Sequence, residues 1–241
     1  DLLHLQTLGF RGEALPSIAA VSRLELCSRP AKLPLGCRLY LEGGRLVAQE
    51  PWSGPPGTQV VVADLFFNTP ARRKFLRSRT AEQAQIVELV RQLALGYPEL
   101  TFQLRGGGKL LLDAPGPVSL AERLANLLPF DWIEQLLPVS AAYGDLRIEG
   151  LISRPDQQAA TPRYQYFLVN RRLVNDRLLS GAVREAYQDL LPRGRFPVVV
   201  LNLEVPSDQV DVNVHPAKAE VRFRDSGRIF AGLLTALRQV L

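Results

Sequence analysis

The chain has 241 residues, 46% of them hydrophobic, enough apolar material for one large domain or two ordinary ones. Charged residues make up 22% and mean hydropathy is +0.01, which excludes a disordered polyelectrolyte, and no run reaches the roughly 18 apolar residues of a membrane span. A net charge of +5 and a pI near 9.5 suit a polyanionic partner without proving one.

In chain order, the small and apolar residues of 13–22 suit a short helix, with Pro16 tolerable only in its first turn. Segments 23–29, 36–42, 45–50 and 58–64 have strand composition between Gly and Pro punctuation. Residues 81–95 read as an amphipathic helix with Ile86, Leu89, Val90, Leu93 and Ala94 on one face. Residues 100–104 and 110–113 read as a hairpin across Arg105-Gly106-Gly107-Gly108. Ala114-Pro115-Gly116-Pro117 is the best linker. Beyond it come a helix near 119–128, strands near 136–142, 146–153 and 164–169, and a helix near 177–191. A buried strand at 197–203, a short strand at 220–224 and a helix from about 226 close the chain. This pattern predicts an α+β (mixed α/β) chain of two domains, 1–115 and 116–241.

Some residues bear on chemistry by what they omit. Cys27 and Cys37 are too few and too far apart for a zinc site, and neither His4 nor His215 completes one. They read as reduced thiols in a core. Only Lys32, Lys74, Lys109 and Lys218 are lysines among 29 basic residues. A GC-rich coding sequence explains that bias, and it draws attention to each lysine that remains. The chain has no methionine and begins Asp1-Leu2-Leu3, so residues are expected to precede Asp1.

Four segments could carry chemistry. In Gly9-Phe10-Arg11-Gly12-Glu13-Ala14-Leu15, two glycines three apart before a helix allow a tight turn with N–H groups aimed outward, a setting for phosphate. The same pattern also serves as a plain structural turn. The second is Gly57-Thr58 with its following valines, expected to be buried, and then Asp64 to Leu76, where Asn68-Thr69-Pro70 should cap a short helix. Its Arg72, Arg73 and Lys74 suit either a solvated face or nucleic acid. The third, Asn170 to Arg177, places arginines at a strand end and a helix start, fitting phosphate contact. The fourth, Asp211 to Phe223, is an irregular loop with Lys218 near its tip. Gly106-Gly107-Gly108-Lys109 is not a Walker A loop, because the glycine spacing and the Ser/Thr are missing.

Together and in this order, the four segments resemble the MutL family of DNA mismatch-repair proteins, over essentially the whole chain. The resemblance implies a partial GHKL ATPase sandwich followed by a ribosomal-protein-like transducer domain. It implies that Gly9, Phe10, Arg11, Gly12, Glu13, Ala14 and Leu15 form the loop that wraps the ATP triphosphate. Thr58 would match a threonine beside the adenine pocket, and Lys218 a lysine that reaches the γ-phosphate. Arg172 and Arg177 would lie on a surface for double- or single-stranded DNA.

The resemblance further implies an ATPase that works with Mg²⁺ as a homodimeric clamp. That clamp would relay a signal from a mismatch-recognition protein to a downstream nuclease or helicase. It would be cytoplasmic, acting at the nucleoid, with no membrane partner. The family's early helix, carrying a water-activating Glu and a metal-binding Asn, does not precede Gly9 here. No Asp-x-Gly-x-Gly segment occurs either. These 241 residues are therefore expected to hold no catalytic general base and no metal ligand, and to be inactive by themselves. The alternatives are a DNA-binding module without ATPase activity, or a related GHKL topoisomerase subunit.

Overall fold

A division at Glu82/Gln83 separates two compact units in the computed structural model, which describes residues 12–211 and 221–241. The first unit begins with helix α1 (Ala14–Ala19) and continues through strands β1 (Arg23–Arg29), β2 (Gly36–Glu42), β3 (Arg45–Trp52) and β4 (Gly57–Ala63). The strands form one antiparallel sheet in the order β3-β2-β1-β4. Pro16 falls in the first turn of α1, where its missing N–H leaves no intrahelical bond unmade. Among its described residues, Ala19, Leu24 and Cys27 are the buried apolar ones. Gly43 and Gly44, both at positive φ, make the two-residue turn between β2 and β3.

The valines of β4 depart from expectation. Val60, Val61 and Val62 are each 42–43% exposed. Among the described residues β4 is an edge strand bonded only to β1, and all seven of its residues are exposed. Strand composition fixed the element, but burial depends on a covering layer that composition does not report. A short helix α2 (Pro70–Arg73) follows with Pro at its start, although Thr69 makes no side-chain cap bond.

Helix α3 (Arg79–Gly96) forms where predicted, but its buried stripe is one residue over. Val87, Val90, Ala94 and Leu95 meet the core, whereas Ile86 is 49% and Leu89 57% exposed. Apolar residues on adjacent helical stripes leave the period intact and the buried face undecided. Hairpin β5 (Phe102–Gly106) and β6 (Lys109–Ala114) turns through Gly107 and Gly108, both at positive φ, so this glycine run is a hairpin turn. Helix α4 (Leu120–Leu127) starts with a capping box between Ser119 and Glu122.

The chain then gives β7 (Leu137–Tyr143), β8 (Leu146–Ile152), β9 (Gln158–Ala159), β10 (Gln165–Val169) and β11 (Arg172–Val174). Helix α5 (Arg177–Ala186) is followed by β12 (Phe196–Pro197), β13 (Val199–Glu204), β14 (Val210–Asp211), β15 (Arg222–Phe223) and α6 (Ser226–Val240). The main sheet has the order β11-β10-β13-β8-β7. Only β10 and β13 pair in parallel, and α5 lies in the connection between them, as a parallel crossover requires.

Alternation sorts the side chains of β13 onto two cores. Val199, Leu201 and Leu203 join the cluster with α5 and α6, while Val200, and Val198 just before the strand, join the cluster with α3 and α4. Burial on both faces explains the apolar run from Val198 to Leu201, which Asn202 interrupts. Gly150 of β8 sits at φ +152, where a Cβ would lie 2.0 Å from the Val200 carbonyl oxygen. Helix α5 ends at Ala186, five residues short of expectation, and is followed by its C-cap Tyr187, whose buried hydroxyl donates to the Ser153 carbonyl at 2.5 Å.

Candidate nucleotide and DNA contact residues

In the first unit, Gly12 stands at φ +65 with open space around it, a conformation that glycine adopts without strain. Glu13, Ala14 and Leu15 follow it, all exposed, into α1. Glu13 is the N-cap residue, and its side chain makes no cap hydrogen bond. Gly9, Phe10 and Arg11 lie outside the described residues. Thr58 is on β4 opposite Ser28 of β1, and their exposed hydroxyls are 2.8 Å apart. The sequence reading did not single out Ser28. The register of β1 against β4 would have revealed it, and register is not legible from strand composition.

Much of the segment after Thr58 holds backbone in place. Asp64 and Phe66 both have positive φ, a conformation that costs about 1–2 kcal/mol for an L-residue. Three contacts hold that turn. Arg23 donates to the Asp64 carboxylate and to Glu42, the Phe66 N–H donates to the Val21 carbonyl at 2.7 Å, and Arg23 stacks 4.9 Å over the Phe67 ring. The Asp64 and Glu42 carboxylates hold the Arg23 guanidinium protonated more firmly than usual. Asn68 donates to the Ala20 carbonyl. Arg72, Arg73, Lys74 and Phe75 remain exposed, the phenylalanine at 86%.

The third segment divides in the same way. Asn170 and Arg171 form a two-residue turn between β10 and β11, both at positive φ. The Asn170 amide donates to the Val205 carbonyl at 2.8 Å and accepts from the Val205 N–H at 2.9 Å. Arg171 donates from Nη2 to both carboxylate oxygens of Glu99, at 2.6 and 2.7 Å, and lies 4.7 Å over the Tyr97 ring. Partial burial pushes the Glu99 carboxyl up, but its own backbone N–H and Arg171 bring it below the ordinary carboxylate range. Asp176 caps α5, accepting from the Leu178 and Leu179 N–H groups at 2.8 and 3.1 Å.

Arg172 is half-buried on β11, and Arg177 is exposed as the first residue of α5. Arg177 borders a polar cavity of about 550 Å³ with Asn175, Asp176, Leu178 and Val221. Lys218 lies outside the described residues.

Among the described residues no group of three His, Cys, Asp or Glu side chains could hold a metal. Glu122 and Asn126 do fall four apart on α4, the spacing of a water-activating Glu and a metal-binding Asn. However, the Glu122 carboxylate is committed to Ser119, accepting from its N–H and its hydroxyl, each at 2.8 Å.

Residues 124–241 match the family described as DNA mismatch repair protein, C-terminal domain. The DNA mismatch repair protein MutL of Symbiobacterium thermophilum is 45% identical over 241 residues, which cover 100% of this chain and 38% of that protein. The MutL ATPase domain of Aquifex aeolicus, solved in complex with ADP, is 31% identical with a TM-score of 0.65, over 80% of this chain and 72% of that one. The chain belongs to the MutL family.

Its mixed α/β fold also resembles the B-subunit of DNA gyrase from Myxococcus xanthus, at a TM-score of 0.51 and 15% identity, over 92% of this chain and 68% of that one. That likeness concerns the fold alone. The MutL-family chain spans about 38% of the length of the curated relatives it matches.

Proposed function

We propose that this MutL-family chain is part of an ATP-driven homodimeric clamp. The clamp binds DNA and relays mismatch recognition to a downstream nuclease or helicase in the cytoplasm. The observation that carries the ATP reading is the 31% identity to a MutL ATPase domain whose solved structure holds ADP. The left-handed Gly12 at the start of α1, an N-cap side chain that makes no cap bond, and the exposed Thr58 hydroxyl agree with it.

On this reading Gly9 to Leu15 wrap the triphosphate, Thr58 flanks the adenine pocket, and Lys218 supplies a cation to the γ-phosphate. A fixed cation lowers the barrier where charge develops on the transferring group, and loses its partner once the phosphate leaves. The functional boundary lies near residue 115, with 116–241 as the transducer. On the same reading the Mg²⁺ ligands and the general base lie outside these residues. Arg172 and Arg177 contact DNA phosphates.

DNA-stimulated ATP hydrolysis by the intact protein tests the nucleotide reading. Lys218→Ala is expected to slow turnover on the order of a hundredfold, the usual loss when one preorganised charge-stabilising group is removed. Unchanged turnover would overturn the role of Lys218. The 241 residues by themselves are expected to show no hydrolysis, and turnover proportional to their concentration would contradict the placement of the general base elsewhere.

A further inference from the structure

The exposed edge of α5 carries a second arginine that no motif marked. Arg184 lies seven residues after Arg177, two helical turns less about 20°, so the two share one face roughly 10.5 Å apart along the axis. Both are exposed, and among the described residues neither side chain has an ion-pair partner.

Two acids of this segment are otherwise engaged, and a third lies past the helix. Asp176 is turned in to cap the helix. Glu185 lies 3.6 Å from Arg238 of α6. Asp189 falls beyond the last residue of the helix. On its other side α5 is anchored by Leu179, Ala182 and Val183, each 0% exposed, so the two guanidinium groups stand on a rigid support.

We infer that Arg184 extends the DNA-contacting surface of Arg177 along α5, so that the helix edge presents two cations to the phosphates of duplex DNA. Duplex DNA carries one charge per about 1.7 Å of its axis, so a second cation 10.5 Å on still faces phosphate. Contact of this kind gives affinity without sequence preference. The inference rests on the reading that Arg177 contacts DNA, and its test separates the two.

Binding of a duplex oligonucleotide by the 241-residue chain is measured between 50 and 200 mM salt for Arg177→Ala, Arg184→Ala, Arg184→Lys and Arg105→Ala. Arg105 is exposed in hairpin β5–β6 and controls for net charge. Each true phosphate contact is expected to account for about one unit of the log–log salt slope. The parent's advantage over Arg184→Ala should therefore shrink roughly threefold across that range. Arg184→Lys should keep the parent slope and Arg105→Ala should leave it unchanged, with thermal unfolding of all variants alike. A changed slope in Arg177→Ala with none in Arg184→Ala overturns the extension while sparing the parent reading. No change in Arg177→Ala overturns the parent reading. Equal changes in Arg184→Ala and Arg105→Ala reduce the effect to net charge and overturn the inference as well.

Discussion

Asn170 stands in the arginine-bearing segment, yet its contacts are those of a bolt, and replacing it should be read in stability. Asn170→Ala removes two side-chain hydrogen bonds, to the Val205 carbonyl and from the Val205 N–H. Val205 is only 6% exposed, so water does not replace them fully. Each bond contributes about 1 kcal/mol net. Alanine at φ near +50 adds about 1 kcal/mol of left-handed strain, which asparagine partly evades by local hydrogen bonding. The expected loss is therefore about 3 kcal/mol, in the range of a buried network rather than a surface change.

Asn170→Gly removes the bonds but not the permitted conformation. It should be about 0.5–1 kcal/mol less destabilising than Asn170→Ala. Urea unfolding followed by fluorescence reports this well. Trp132, which stacks 4.6 Å from Phe130, is the only tryptophan of the second unit. A Trp52→Phe background silences the first unit, where β3 carries Trp52. A loss below about 1 kcal/mol in Asn170→Ala, or a larger loss in Asn170→Gly, would refute the bolt and return this residue to the surface chemistry of its neighbours.

The buried face of α3 can be checked by contrast. Leu89→Gln, at an exposed position, should change stability by less than about 0.5 kcal/mol, while Leu95→Ala, at a site 2% exposed, should cost about 2–5 kcal/mol. Equal losses in the two would put the apolar face back where periodicity alone placed it. Ser119→Ala should cost about 1 kcal/mol at pH 7 through the lost helix cap. The Ser119 backbone N–H, then its hydroxyl, hold the Glu122 carboxyl below its ordinary range. A depressed carboxyl stabilises above the usual glutamate value of about 4.3 and loses that contribution as pH falls through its lower folded value. Glu122→Gln should therefore give a shallower decline of stability between about pH 5 and 2 than the parent chain. Parallel acid profiles would count against the capping box.

Period and punctuation carried most of the element list. The pairs β7–β8 and β5–β6 were readable because Gly144 and Gly107-Gly108 mark turns between apolar runs. The strand β13 was readable because burial on both faces leaves four consecutive apolar residues, Val198 to Leu201, at its start. The short strand β11 was missed because Arg172–Val174 sits inside a segment whose arginines drew the reading toward phosphate. The exposed valines of β4 and the shifted stripe of α3 share one cause: a pattern states which residues could be buried, and only the neighbouring layer decides which are.

The candidate site was legible in the same uneven way. Gly12 and Thr58 were visible as motif residues, but Ser28 needed strand register. Asn170, Arg171 and Asp176 read as part of a charged surface, and their partners show that they shape the turn and helix start on which Arg177 is carried.

The position of β13 sets an order on synthesis. It lies between β10 and β8 in the sheet, yet it leaves the ribosome after both. The hairpins β7–β8 and β10–β11 can each close locally, but they cannot be joined until Val199–Glu204 is available. At translation speeds of about 5–20 residues per second, β8 waits roughly 2–10 s for its inner neighbour. During that interval two strand edges bound for the middle of the sheet are unpaired, and unpaired edges are where chains join one another. A nascent chain stalled shortly before Val199 would present both edges at once, a hazard that ends only when the central strand arrives.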